Sequence, residues 1–279
     1  MKKKRLLIFI VTYNAEKTIE DVVNRIPKQL SKLYNLEILI IDDASQDKTF
    51  ETSKKIKDIF SKTFKIKVLC NPINQGYGGN QKIGYHYAIK NNFDFVVLLH
   101  GDGQYAPEVL IKLLKPTLNN KFNIVIGSRM VKKSLALRGG MPIYKFFGNI
   151  ILTQIQNFLL STKLAEFHSG YRIYSVNSLK RIPFYLNTND FHFDTEILIQ
   201  LFLVNEKIKE IGIPTFYGDE ICHVNGLKYG FNVIRMTFIA SLQKTFGINL
   251  TRKFKKVNFV IKNSKNQIDK LLVHAERRK

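Results

Sequence analysis

Phe95-Val96-Val97-Leu98-Leu99 runs directly into His100-Gly101-Asp102-Gly103-Gln104-Tyr105-Ala106-Pro107. The five apolar residues, β-branched in the middle, suit a strand buried on both faces of a parallel sheet. The strand stops in a turn with two glycines, and Pro107-Glu108 reads as the first turn of a helix. Ligands of open α/β sheets bind at the carboxyl ends of the strands. His100, Asp102 and Gln104 stand there at a spacing of two, so in an extended tip they point the same way. Their donor set suits Mg2+ or Mn2+, which proteins hold with one or two carboxylates plus substrate phosphates. A solvated turn with one capping Asp is the bland alternative.

Outward from this stretch, strand and helix alternate. Residues 6–12, 36–41, 66–70 and 123–128 read as further strands. Ile19, Val22, Val23 and Ile26 form one helical face, with Asn14 as its cap and Glu16 in its first turn. Pro27 should end that helix. Leu110, Leu113, Leu114 and Leu118 face inward on another helix. Alternation at this spacing predicts an α/β fold: a doubly wound, mostly parallel sheet with helices on both faces. The second half is less regular. It holds a helix over residues 143–160, a polar turn at Glu166–Arg172 entering a short strand, and a helix with Asp194 as its candidate cap. A strand at 208–213 is stopped by Pro214. The division expected is a catalytic unit over residues 1–225, an amphipathic helix over 226–250 and a loosely held basic tail over 251–279.

The chain has 279 residues, 45% of them hydrophobic, enough for a substantial core. Lys and Arg number 44 against 22 Asp and Glu, a net +22, which calls for an anionic partner. Part of the surplus is terminal, in Lys2-Lys3-Lys4-Arg5 and in the tail. Two cysteines, Cys70 and Cys222, make no disulfide framework and fit a reducing, cytoplasmic setting. Cys222-His223 lacks the further ligands of a metal site. The basic start has too short an apolar run for a signal peptide, and residues 231–250 are too interrupted for a membrane span.

Four loops converge on one cleft in such a sheet: Tyr13-Asn14-Ala15-Glu16, Asp42-Asp43, His100–Gln104, and a glycine loop with Asn74, Gly76, Gly78 and Gly79. Glycines let backbone N–H groups approach a ligand closely. The loop is neither a Walker loop nor the dinucleotide fingerprint. A nucleotide would therefore be held by carboxylates on base or ribose and by a metal on the diphosphate. Lys82 is either a phosphate contact or a solvated helix residue. His168 reads as a hydrogen-bonded turn histidine.

Val11-Thr12-Tyr13-Asn14, Asp42-Asp43-Ala44-Ser45-Gln46-Asp47, Asn74-Gln75-Gly76 and Gly101-Asp102-Gly103-Gln104 together resemble the family-2 glycosyltransferases. Gly127-Ser128-Arg129 and Ser169-Gly170-Tyr171-Arg172 are similar to later blocks of the polyprenol-phosphate sugar transferases, typified by dolichol-phosphate mannose synthase. The resemblance covers about residues 5–225. It implies a GT-A fold, a nucleotide-sugar donor (UDP- or GDP-sugar), a divalent metal, Mg2+ or Mn2+, and inversion at the anomeric carbon. Carried over, Asp42 and Asp43 hold the base and ribose, with Thr12, Tyr13, Asn14, Glu16, Asn74, Gly76 and Gly79 in the same donor site. Asp102 ligates the metal beside Gln104. Arg129, Arg138, Ser169 and Arg172 face the acceptor phosphate, where an arginine fork suits phosphate oxygens.

His100 stands where the family's Asp-x-Asp has its first Asp. The imidazole is a third candidate ligand or a hydrogen-bond partner of the nucleotide-sugar donor, and His100→Asp, which restores the pair, should be tolerated or tighten metal binding. The chain has no Trp, so the Gln-x-x-Arg-Trp block of processive synthases is absent and a single transfer is expected. A polyprenyl phosphate needs no strong general base, whereas a glycan or glycolipid hydroxyl does. Asp194 and Glu196 are candidate bases or helix caps. A basic nucleic-acid-binding protein is the reading from another class. It fits poorly, because the cleft loops carry carboxylates. The acceptor lipid would place the protein peripherally on the anionic inner face of the cytoplasmic membrane, through Val233, Ile234, Phe238, Ile239 and Leu242 and the basic tail. No pattern fixes an oligomeric state.

Overall fold

The computed structural model describes residues 3–118, 121–217, 225–254 and 261–277. Seven strands form one sheet: β1 (Arg5–Thr12), β2 (Asn35–Asp42), β3 (Lys65–Cys70), β4 (Phe95–His100), β5 (Ile124–Ser128), β6 (Arg172–Ser175) and β7 (Ile208–Gly212). Their order is β3-β2-β1-β4-β6-β5-β7. All neighbours pair in parallel except β6, which runs antiparallel to β4 and β5 between them. The helices are α1 (Ile19–Asn24), α2 (Leu30–Leu33), α3 (Thr49–Ile59), α4 (Tyr77–Lys90), α5 (Leu110–Leu118) and α6 (Lys133–Arg138). They continue with α7 (Ile143–Leu160), α8 (Val176–Lys180), α9 (Phe193–Leu203), α10 (Gly226–Phe246) and α11 (Ile261–Arg277).

The two-residue period of the strands sorts the core. Leu7, Phe9, Leu39, Ile41, Val96 and Leu98 face α4 and α9. Leu6, Ile8, Ile10, Ile38, Ile40, Val97 and Leu99 face α1, α3 and α5. Register then aligns the strand ends: Thr12 lies opposite Asp42, Asp42 opposite Cys70, and Val11 opposite His100. The polar residues that close β1, β2 and β4 thus meet at one edge, the carboxyl edge where ligands bind.

Two expectations need correction. Asn14 does not cap α1. It takes a left-handed conformation (φ 51°), its amide oxygen accepts from the Gln46 N–H at 2.9 Å, and its own N–H donates to Ser45 Oγ. The chain past residue 250 is not loosely held over its described part. In α11, Ile268, Leu271, Leu272 and Ala275 fall at i, i+3, i+4 and i+7 and join the core beside α4. Asp269 bridges His86 and Lys90, and Lys67 reaches Glu276. The Lys-rich composition hid an ordinary amphipathic stripe.

Helix α4 lies close on the sheet because Gly84 has no side chain; a Cβ there would stand 2.2 Å from the Phe9 ring. Gly84→Ala gains up to about 1 kcal/mol of helix propensity but overpacks a buried site at roughly 1–3 kcal/mol. Net destabilisation is expected in urea unfolding, with part of it recovered by Phe9→Leu in the same chain. An Ala variant as stable as the parent would contradict this contact.

Candidate active site

An open cleft of about 1350 Å³ lies along the carboxyl edge of the sheet. Of the predicted donor residues, Thr12, Tyr13, Asp43, Asn74 and Gly76 line it. So do His100, Asp102 and Gln104 after β4, and Arg129 and Asp194 from the second half. The others, Asn14, Glu16, Asp42 and Gly79, do not line it. Asp42 is buried and accepts from the Ser45 hydroxyl and backbone N–H and from Cys70 Sγ. Glu16 accepts from the Lys48 N–H, so with Asn14 it ties the loop after β1 to the loop after β2. Gly79 packs against Gln75 and Asn189 in the first turn of α4. These residues shape the sheet-edge end of the cleft without lining it.

Asp43 is the buried carboxylate of that end. Its Oδ1 accepts from Asn71 Nδ2 at 2.7 Å and from the Gln75 N–H at 2.8 Å. Burial still outweighs these bonds and pushes the carboxyl up to about 6. Asp42 is shifted upward as well, again by burial. Asn74 Oδ1 accepts from the Gly76 N–H, which fixes the glycine loop before α4.

The residues expected to meet an acceptor phosphate divide. Arg172 has 0% exposure, and its guanidinium donates to the carbonyls of Ser169, Phe167 and Asp194 and to Tyr174 Oη. It is committed beneath the cleft and cannot touch an acceptor. Ser169 is likewise buried and donates to the Gly127 carbonyl. Arg138 is exposed at the end of α6, outside the lining. Arg129 does line the cleft, but its Nε and Nη2 bond Glu166 and the His168 carbonyl, and Nη1 donates to Tyr217 Oη. Burial would lower its pKa; Glu166 beside it more than reverses that, and the net shift is upward. One Nη1–H is left for a ligand.

Several lining residues had no assigned role in the sequence. Tyr144, Lys145, Gly148, Asn149 and Leu152 bring one face of α7 to the cleft, at a helical spacing that was legible. The Lys145 ammonium sits 5.2 Å from the Tyr217 ring centroid, a second cation beside Arg129. Tyr77 stacks on Phe191 and donates to Asp194 Oδ2 at 2.8 Å. Lys82 neither touches the cleft nor meets solvent. Its buried ammonium donates to the Asn187 carbonyl and Asn189 Oδ1, and burial brings its pKa down to about 8. It anchors the turn that presents Asn189 to Phe191. Glu196 holds the same turn through the Thr188 N–H, which removes it as a base. His168 bonds Tyr229 Oη through Nδ1 at 2.8 Å, as a turn histidine should. Cys222 and His223 lie outside the described residues.

The sequence profile of glycosyl transferase family 2 matches residues 7–183. The chain belongs to this family. The UDP-N-acetylglucosamine–dolichyl-phosphate N-acetylglucosaminyltransferase of Methanococcus voltae is 27% identical over 255 residues, 88% of this chain and 99% of that one. The polyprenol monophosphomannose synthase of Mycolicibacterium smegmatis is 25% identical over 183 residues, 64% of each chain. The solved glucosyl-3-phosphoglycerate synthase from Mycobacterium tuberculosis, in complex with phosphoglyceric acid, superposes with a TM-score of 0.61 at 14% identity. That superposition covers 85% of this chain and 80% of that one and establishes a shared GT-A fold. This family-2 glycosyltransferase thus has the loops after β1, β2, β3 and β4 inside the family match, whereas Asp194, α10 and α11 lie beyond it.

Asp43 gives this glycosyltransferase a pH signature. With a folded pKa of about 6 against an ordinary 3.8, folding loses stability as pH rises through that window and gains nothing below it. At about 1.4 kcal/mol per unit, the penalty above pH 6 is at most roughly 3 kcal/mol. Asp43→Asn should therefore gain stability over the parent between pH 4 and pH 7 while losing donor affinity. Urea unfolding across that range checks it; a pH-independent difference would mean that Asp43 is not desolvated.

Proposed function

We propose that this glycosyltransferase moves one sugar from a nucleoside-diphosphate sugar to the phosphate of a polyprenyl phosphate at a membrane surface, with inversion. The observation that carries the reading is what the cleft brings together. The one cleft is lined by Asp43, Asp102, Arg129 and Lys145 and also by Tyr144 of α7 and Leu227 at the start of α10. Each of these two residues begins an apolar stripe on its helix: Tyr144, Phe147, Ile151 and Phe158 on α7, and Leu227, Phe231, Ile234 and Phe238 on α10. All eight are between 38% and 91% exposed, and the two helices pack together. Paired apolar stripes beside a cleft that holds Arg129 and Lys145 suit an acceptor with an ionic head and a hydrocarbon chain. The Methanococcus and Mycolicibacterium relatives are named for such acceptors.

The proposed membrane face differs from the one read in the sequence. Val233 is core-facing and Ile239 partly buried, whereas Ile234 and Phe238 point outward. No helix among the described residues is long and apolar enough to cross a membrane.

In the proposed step an acceptor phosphate oxygen attacks the anomeric carbon. The carbon–oxygen bond to the diphosphate breaks from the opposite side, and the nucleoside diphosphate leaves. The attacking oxygen is already ionised near neutrality, so no base is required. Among the described residues no three His, Cys, Asp or Glu side chains converge as a metal cage. Asp102, exposed on the cleft wall beside Gln104, nevertheless fits Mg2+ or Mn2+ shared with substrate phosphates. Such an ion would neutralise charge on the leaving diphosphate. Asp102 and Gln104 would hold it, while Arg129 and Lys145 would orient the acceptor head. Asp194 on the cleft wall favours a second reading, transfer to a hydroxyl with that carboxylate as base.

A panel of UDP- and GDP-sugars, tested with undecaprenyl phosphate and with the matching free polyprenol, separates the two readings. Transfer to the phosphate alone is expected. Asp102→Asn should lower it at least about a hundredfold, a loss of several kcal/mol of transition-state stabilisation. Transfer to the alcohol alone would overturn the acceptor assignment.

Membrane docking has its own test. Phe147→Ser with Phe231→Ser should abolish sedimentation with anionic vesicles while leaving the melting temperature within a few degrees, since both side chains are exposed. Deleting residues 251–279 would be a poor test, because it uncovers the core beneath α11.

A further inference from the structure

We infer that His100 and Tyr77 are positioning residues for Asp194, and that His100 acts through the Tyr77 hydroxyl rather than as a metal ligand. The Tyr77 hydroxyl lies 2.8 Å from Asp194 Oδ2 and 3.2 Å from His100 Nε2. A hydroxyl has one proton, and a carboxylate only accepts. The proton therefore goes to Asp194, and the hydroxyl oxygen accepts from His100. That assignment makes the imidazole an Nε2–H donor and fixes its tautomer. Asp194 Oδ1 is met from the other side by Gln81 Nε2 at 3.3 Å, with Arg172 Nη1 at 3.9 Å. The carboxylate is thus held at both oxygens on the cleft wall.

The imidazole has little freedom to leave this arrangement. Its ring meets Tyr105 edge-on at 4.9 Å and Tyr77 edge-on at 5.5 Å. On a third side lies Gly170, where a Cβ would come within 2.7 Å of His100 Cε1 and Nε2 and within 2.8 Å of Tyr77 Oη. The glycine is what admits a histidine at this position. The inference rests on Asp194 meeting substrate at the cleft wall, as a base where the acceptor is a hydroxyl or as a hydrogen-bond acceptor for a sugar hydroxyl where it is a phosphate.

The consequence reverses one expectation. His100→Asp does not simply restore a metal pair. A carboxylate at that position cannot donate to Tyr77 and competes with Asp194 for the single hydroxyl proton. The variant should lose activity about as far as His100→Leu does.

Two measurements test the inference, and the first needs no substrate. In protein labelled with 15N-histidine, which gives six ring systems, the His100 signals are assigned through His100→Gln. They should report the Nε2–H tautomer, and Tyr77→Phe should release it. An Nδ1–H tautomer in the parent protein would overturn the proposal even if no donor were found. The second is kinetic, with the donor that the panel selects. Tyr77→Phe and His100→Leu should each lower kcat about tenfold or more and leave donor KM within about twofold. The double variant should be no worse than the poorer single one, because both break one chain of bonds. His100→Gln, which keeps an N–H donor, should recover most of the loss. Additive losses, or a raised metal requirement in His100→Leu but not in Tyr77→Phe, would return His100 to the metal. Melting curves of each variant separate these effects from misfolding.

Discussion

The cleft depends on a buried guanidinium. Arg172 opens β6 and pairs with Leu98 of β4 and Ile126 of β5, in the middle of the sheet. A charge in that position is tolerable only when its donors are met and a counter-charge is near. Its partners come from three segments: the turn holding Phe167 and Ser169, Tyr174 on the same strand, and the first turn of α9 at Asp194. Satisfying one side chain therefore fixes the wall that carries His168 and Gly170 and sets where α9 begins. It also explains how an antiparallel strand sits among parallel ones. The short β6 brings its arginine to the carboxyl edge, level with the ends of β4 and β5.

Arg129 and Glu166 repeat the device one step outward. Glu166 is fully buried, accepts from the Arg129 backbone N–H and side chain and from Asn149 Nδ2, and so ties β5 to α7. Burial would raise the Glu166 pKa, but Arg129 lowers it overall and the pair stays ionised. Removing either partner would leave a buried charge alone, which costs far more than the pair contributes. An arginine in such a pair has little reach left for substrate. A residue that matches a family motif can thus serve the scaffold instead of the substrate.

The division between what the sequence made legible and what it hid follows from the range of each interaction. Strands β1 to β5 and the helices between them were readable, because burial on a sheet imposes a period that neighbours in the chain reveal. The donor-end loops were readable because register places the ends of β1, β2 and β4 together. Tyr77 was not: its role comes from contacts with His100, 23 residues away, and Asp194, 117 residues away. The same holds for Arg172, whose motif was visible and whose burial was not. In α11 the signal was present, and composition masked it.

Pairing inside the scaffold also decides what is left to act on a ligand. Arg129 is matched by Glu166, and Arg172 stands near Asp194. Facing the cleft without an ion-pair partner among the described residues are Asp43 and Asp102 at the proposed donor end, Asp190 just before α9 and Lys145 toward α7. A nucleoside diphosphate laid against two carboxylates would be repelled, since like charges a few ångströms apart in a partly desolvated cleft cost several kcal/mol. The scaffold's own arginines cannot relieve this, because their charge is already used. The proposed divalent cation at Asp102 would turn that repulsion into attraction. At the opposite end Lys145 has no such burden and is left to an anionic acceptor. The proposed polarity of the transfer, donor at the sheet edge and acceptor under α7, is therefore a consequence of which buried charges the fold has already neutralised.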